Sequence, residues 1–410
     1  MHRKAIFLYL ILMILPASLL LAADFGAVLT AAPEFDSTLK PEFNFKGTIA
    51  PWVSALISPR LNFYASAGVS LDYREGELKP VLVQLNRTEL SWRPAPMAYL
   101  QFGRQRYTDS AALVAAGLFD GIHFSWGMSR ARLSLGAFYT GLQYKEEAKI
   151  IMTERDLTWY NAKLNYDNMD TYFASRRVCI PLRAEFPDLT QRLALAVNAI
   201  AQIDVNGSTE RGNTLHSQYL ETQLIAEPWN PLSLTFAGLV SLMESEDTVG
   251  KAILRTGFAA SAGANWEVPT SMQDMLTLQL RWTSGRSGDN IGAYLPLSGV
   301  SVGEVFTPRI SALLYGKAAY TLRPIPAISV EGSFGYFVRT DTETLKDGNL
   351  KVGSEARTLG GEFSGNLIWA VQSDVQVSAG GGAFFPAMGD AFRTDTDVRW
   401  KLKCGVIVSF

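Results

Sequence analysis

The sequence predicts an all-β chain, a transmembrane antiparallel up-and-down β-barrel of about 18 strands, with about 16 as the nearest alternative. Three observations predict it. Side chains alternate apolar and polar over many segments, most clearly at the C-terminus, where Val398, Trp400, Leu402, Cys404, Val406, Val408 and Phe410 share one strand face. The connections between such segments fall into two kinds, short turns and long polar loops. After the first 23 residues, no apolar run approaches the length needed for a helix to cross a bilayer.

The first element is an export leader. His2, Arg3 and Lys4 are basic, residues 5–21 are almost wholly apolar, and Leu21-Ala22-Ala23 offers small residues for cleavage before Asp24. A lipoprotein needs a cysteine at that point, and none is there. The run is close to the length of a spanning helix, but the small-residue pattern favours cleavage over a retained anchor. The expected organisation is therefore a signal peptide, 1–23, and a single transmembrane barrel domain, 24–410.

Residues 24–410 are long for one soluble domain, for which about 100–200 residues is usual. Yet no linker, charge block or compositional shift divides them. Hydrophobic content is 48% and mean hydropathy +0.07, too low for a helical membrane protein and typical of a barrel that hides its apolar band by alternation. A net charge of −2 argues against a nucleic-acid partner. Cys179 and Cys404 have no metal-ligand spacing, and no cofactor fingerprint is present. Cys404 is expected to face lipid as a small apolar residue.

The strand candidates follow in order. The first is 25–35, followed by 43–53 and 61–73, where Leu61, Phe63, Val69, Leu71 and Tyr73 oppose Asn62, Ser66, Ser70 and Asp72. Later ones are 133–139, 193–203, 232–242, 275–283, 310–322, 328–339, 359–371 and 398–410. Residues 157–187 fit either one long strand or three short ones. Short turns occur at Ser58-Pro59, 92–96, 127–129, Pro187-Asp188, 227–231, 322–326 and Ser373-Asp374. Longer polar stretches, 143–156, 206–214, 244–251, 284–303 and 340–354, alternate with them. Short turns at one rim and long loops at the other are the signature of a membrane barrel, and an even strand count places both termini on the same side.

With these features the chain resembles Gram-negative outer-membrane β-barrel proteins, porins in particular. The resemblance covers the whole chain after the leader as architecture, and its most specific element is the alternating terminal strand ending at Phe410. It implies an outer-membrane location, recognition of that strand by the barrel-insertion machinery, a lipid surround, and passage of small hydrophilic solutes; a homo-oligomer is left open. A weaker echo is Gly103-Arg104-Gln105 with Phe119-Asp120-Gly121, similar to a pattern in some substrate-selective porins.

If apolar positions face lipid, the opposite register lines the lumen. Its basic candidates are Lys46, Arg87, Arg132, Arg192, Arg255, Arg281, Arg309, Lys317, Arg339, Arg399, Lys401 and Lys403. Its acidic ones are Glu42, Asp72, Glu89, Glu221, Glu331 and Glu362. Cations outnumber anions there although the chain is slightly acidic, so the remaining acids belong in loops, and a positive wall gives a mild anion preference. Arg399, Lys401 and Lys403 repel one another on one strand face unless water, acids or a passing anion compensates. Segment 108–118 is small and apolar, unusual for a wet loop. Either it folds inward and narrows the pore with Arg104, Arg106, Asp109 and Asp120 at the constriction, or it is a short helix or a continued strand.

Other classes are less well supported. Catalysis has only His123 and His216 beyond the leader, each in a strand-like segment without attack geometry toward a serine. A hydrophobic-substrate barrel needs an N-terminal plug for which no sequence remains. A structural or adhesive barrel calls for longer loops.

Overall fold

Alternating segments become strands because one face can meet lipid while the other meets water, and pairing edge to edge then satisfies every backbone group. In the computed structural model, which describes residues 23–207, 214–246 and 252–410, such strands pair in sequence until the last meets the first. They are β1 (Ala23–Asp36), β2 (Phe43–Ser58), β3 (Leu61–Arg74), β4 (Glu77–Leu78), β5 (Leu82–Ala95), β6 (Ala98–Thr108), β7 (Ala116–Gly127), β8 (Arg132–Tyr139), β9 (Arg177–Thr190) and β10 (Leu193–Asp204). Then follow β11 (Leu215–Trp229), β12 (Leu232–Glu246), β13 (Ala252–Glu267), β14 (Met275–Thr283), β15 (Leu313–Ile325), β16 (Ile328–Arg339), β17 (Thr358–Ala370), β18 (Val375–Phe385) and β19 (Arg399–Ser409). The two-residue β4 is a flap paired only with β3. The other 18 strands close the barrel.

Closure is antiparallel between β1 and β19, from Val28 opposite Ser409 to Asp36 opposite Lys401. The terminal Phe410 completes the seam, its N–H donating to Ala27 O at 3.1 Å while its carbonyl accepts from Ala27 N at 2.7 Å. No sheet edge is left open, the condition for a sheet to exist in hydrocarbon. The leader, 1–23, lies outside the described residues except for Ala23.

Outward registers carry Ile49, Val69, Leu71, Leu220, Leu280, Trp282, Leu402 and Val406, all exposed on the barrel surface, and Cys404 is exposed among them. Lipid around such side chains is worth roughly 1.5–3 kcal/mol each relative to water, so the band drives membrane residence. The start of β1 at Ala23 and the C-terminal Phe410 share a rim with the short turns, 59–60, 96–97, 191–192, 230–231 and 326–327 among them. Long loops occupy the other rim.

Three expectations need correction. Residues 157–187 form neither one strand nor three: helix α1 (Lys145–Ala148), helix α2 (Glu154–Asn161) and a 3-10 turn (Met169–Thr171) precede β9. Helix α2 starts because Thr153 and Asp156 cap each other's backbone N–H in a capping box. Second, β9 runs through Pro187-Asp188, so the turn falls at 191–192. Third, β15 begins at Leu313, leaving Arg309 and Ile310 in loop 284–312.

Two buried apolar clusters lie beneath the long-loop rim. One joins Leu113, Val114, Phe119, Phe138, Ile200, Leu297 and Ile310; the other joins Phe306, Phe337, Phe384 and Phe392. Each packs loop residues onto inward wall residues, so loops fill part of the lumen.

Candidate permeation site in the narrowed lumen

The hairpin of β6 and β7 leaves the wall partway up. Pairing of β6 to β5 stops at Arg104 opposite Thr88, and pairing of β7 to β8 stops at Asp120 opposite Tyr139. Between themselves β6 and β7 continue to Thr108 opposite Ala116. The point of departure is a cross-strand pair of glycines, Gly103 opposite Gly121. Gly103 has φ +116°, and a Cβ on either glycine would overlap a neighbouring carbonyl, that of Thr88 or Ala137. Glycine is what lets the backbones approach there.

Arg104 and Asp120 lock the bend. The guanidinium meets the carboxylate through two bonds of 2.8 Å, and also donates to Leu85 O at 2.5 Å and Leu142 O at 2.9 Å. Arg104 is therefore buried and committed to structure. Arg106, by contrast, is exposed and lines a cavity of about 200 Å³ with Gln84, Asn86 and Glu147.

Segment 108–118 lies inside the barrel, its flanks continued strand and its tip a tight loop. The Asp109 carboxylate closes the tip by accepting from Leu113 N (2.9 Å), Val114 N (3.0 Å) and Ala115 N (2.6 Å). The tip reaches the wall of β10 and β11: Ala111 N donates to Glu221 Oε1 at 2.8 Å, Asn198 Nδ2 to Ser110 Oγ at 2.8 Å, and Gln223 Nε2 to Ser110 O at 2.9 Å. Arg183 donates to Thr108 O at 2.5 Å. Leu113, Val114 and Ala115 are fully buried there, which explains an apolar loop at a wet rim.

Loop 284–312 folds inward to meet it. Leu297 N donates to Val114 O at 2.8 Å and Tyr294 Oη to Leu113 O at 2.8 Å. Farther along, the Glu362 carboxylate on β17 accepts from Glu304 N, Val305 N and Phe306 N at 2.7–3.0 Å. Arg309 is half-buried, donating to the carbonyls of Ile151 and Pro296; desolvation lowers its pKa to about 10, which leaves it cationic at neutral pH. It pins two loops together and does not stand on a strand wall.

The remaining basic candidates divide by their partners. Lys46 pairs with Glu147 at 3.3 Å, Lys317 with Glu331 at 3.0 Å, Arg399 with Asp347 at 2.8 Å, Lys401 with Asp36 at 3.1 Å, and Lys403 with Glu304 at 2.5 Å. Arg87 pairs with Glu89, and Arg132 with Glu185 at 3.7 Å. Several of the acids belong to inward loops, so loop charge returns to the lumen and offsets the wall. Arg192 is not on a strand: it occupies the β9–β10 turn and donates to Pro228 O at 2.5 Å. Arg339 is buried at the end of β16, bonded to the carbonyls of Ala356, Ser354 and Thr342.

Among the described residues, Arg255 and Arg281 have no ion pair. Arg281 lies on the inward register of β14 beside a polar cavity of about 190 Å³ shared with Gln279, Tyr315, Lys317, Ser333, Ser364 and the acids Glu304 and Glu362. Its Nε is buried with no protein acceptor. Sequence reasoning missed Arg183, which sits in the stretch it left unparsed, and the glycine hinge, whose signal was the paired Gly103 and Gly121 tripeptides. His216 Nδ1 accepts from Asp204 N at 3.2 Å, and His123 stacks on Phe138.

No family model and no curated protein matches this sequence. Solved structures do match. The outer membrane protein OpdK from Pseudomonas aeruginosa aligns over 95% of this chain and 98% of its own, at 13% identity and a TM-score of 0.61. OccAB1 of Acinetobacter baumannii aligns over 95% and 96%, at 12% identity and 0.59. A structure of P. aeruginosa OpdK with vanillate aligns over 95% and 98%, at 11% identity and 0.62. With a closed 18-stranded cylinder, an apolar outer band and loops folded into the lumen, this chain has the fold of Gram-negative outer-membrane porins.

Proposed function

We propose that this protein is an outer-membrane channel for passive diffusion of small hydrophilic solutes, with a mild preference for anions. Arg281 carries the reading: an inward guanidinium with no salt bridge, beside Lys317 and several neutral hydrogen-bonding side chains, attracts a passing anion and has a buried N–H to offer it. The cavity's acids, Glu304 and Glu362, are engaged by Lys403 and by backbone N–H groups. The preference is mild because acids on walls and inward loops offset most other lumen cations. The leader 1–23 fits export, and the terminal strand ending at Phe410 fits recognition by the insertion machinery. One structural neighbour was determined with vanillate, so a small carboxylate is a suitable first test solute.

The test is the reversal potential of purified protein in a planar bilayer under a salt gradient. Wild type should favour anions and Arg281→Ala should move the potential toward cation preference. Absence of any current, or identical potentials for the two proteins, rejects the reading.

A further inference from the structure

Where the hairpin of β6 and β7 turns inward, the wall loses two strands. Above Thr88, β5 has no strand on its β6 side, because β6 leaves at Arg104 and β7 at Asp120. Residues 82–87 of β5 border the gap. At about 3.3 Å per residue and about 4.8 Å per strand, it is roughly 20 Å tall and roughly 14 Å wide from β5 to β8. The gap opens at the level of the lipid band: Val83 and Leu85 are exposed outward, and Val83 pairs with Val69, which pairs with Ile49.

A strand edge in hydrocarbon must be covered, and here side chains cover it. The carbonyls of Val81, Val83 and Leu85, alternate positions along the edge, accept from Tyr166 Oη at 2.6 Å, Tyr172 Oη at 2.9 Å and Arg104 Nη1 at 2.5 Å. Both tyrosines belong to loop 140–176, which packs Tyr144, Leu164 and Phe173 with Leu82 in a separate apolar cluster. Two hydroxyls thus fasten this panel to β5 where a strand would supply a continuous ladder. A cavity of about 200 Å³ remains between panel, hairpin and edge, with Leu85, Leu118 and Tyr144 as its apolar lining and Gln84, Asn86 and Arg106 as polar lining. The nearby acids Glu147, Glu146 and Asp120 pair with Lys46, Arg74 and Arg104. Arg106 is exposed and, among the described residues, has no ion pair.

We propose that the panel is a side door, through which amphipathic acids with one carboxylate head and an alkyl tail pass between the lumen and the surrounding hydrocarbon. Arg106 holds the head within the gap while the tail leaves past Leu85 and Leu118 into lipid. An unpaired guanidinium favours the head, and the tail stays out of water throughout. The axial lumen, lined by charged and hydrogen-bonding side chains, offers a tail no such route. This passage goes beyond the channel reading and does not depend on it.

Photolabelling from the lipid phase tests the door on the wild-type protein in phospholipid vesicles. An aryl diazirine dissolved in the hydrocarbon is activated by light, and labelled residues are mapped by mass spectrometry. Leu118, behind the panel, should be labelled severalfold more than Tyr315, an inward residue behind an unbroken part of the wall. Removing both fastening hydroxyls, in Tyr166→Phe with Tyr172→Phe, should raise the Leu118 label severalfold again. Added dodecanoate should protect Leu118 in wild type and fail to do so in Arg106→Gln. Leu118 labelled no more than Tyr315 overturns the door, as does an unchanged label in the double tyrosine variant. Equal protection by dodecanoate in wild type and Arg106→Gln overturns the role of Arg106. Labelling needs no current, so a protein that labels as expected without conducting supports the door and rejects the channel reading.

Discussion

Asp109 and Glu362 perform the same operation on two different loops, each gathering three backbone N–H groups onto one carboxylate. Buried N–H groups must find acceptors, and a carboxylate satisfies several at once with charge-assisted bonds. Arg399, Lys401 and Lys403 show the converse: three cations on one face, each answered by an acid from elsewhere, Asp347, Asp36 and Glu304. Converting all three to Glu sets acid against acid at each site. The expected outcome is a reversal potential displaced toward cations together with faster proteolysis of loops 284–312 and 340–357, measured on the folded barrel; unchanged potential and unchanged cleavage contradict these pairings. Alternation in the sequence marked these side chains as inward, but their partners lie on β1 and on loops that no local pattern connects to β19. Arg192 and Arg339 show the same limit, since an arginine that bonds to turn or loop carbonyls has the same local appearance as one that faces the lumen.

Strands were legible in the sequence because each needs only its own two-residue periodicity and a polar break at either end. Inward loops were not, because packing inside the barrel gives them apolar residues that imitate strand. Ile310 reads as the start of a strand yet is buried in a loop cluster, and 157–176 is held by capping and by tertiary contacts rather than by any repeat. The hairpin hinge was half visible: both glycine-containing tripeptides stood out, but their cross-strand register did not. Gly121→Ala tests that register, since its Cβ would collide with Ala137 O. Backbone shifts of this kind cost about 1–3 kcal/mol, so the variant should fold with a lower melting temperature and a displaced hairpin, seen as raised conductance. Wild-type melting and conductance together contradict the hinge.

At the scale of the molecule, closure determines the rest. Once β19 pairs with β1, the outer face must be apolar and every polar or charged strand residue turns inward, where the lumen holds more ionisable groups than water alone fills. The sequence predicted the cylinder and the two kinds of rim. What it did not reveal is how far loops 109–115, 140–176 and 284–312 fold back to neutralise and narrow that space. Single-channel recording of the wild type beside a variant lacking residues 110–117 tests this account most directly. It predicts discrete current steps in both, larger in the deletion by roughly twofold or more, because the inward tip is gone. Steps of equal size, or none in either protein, contradict it.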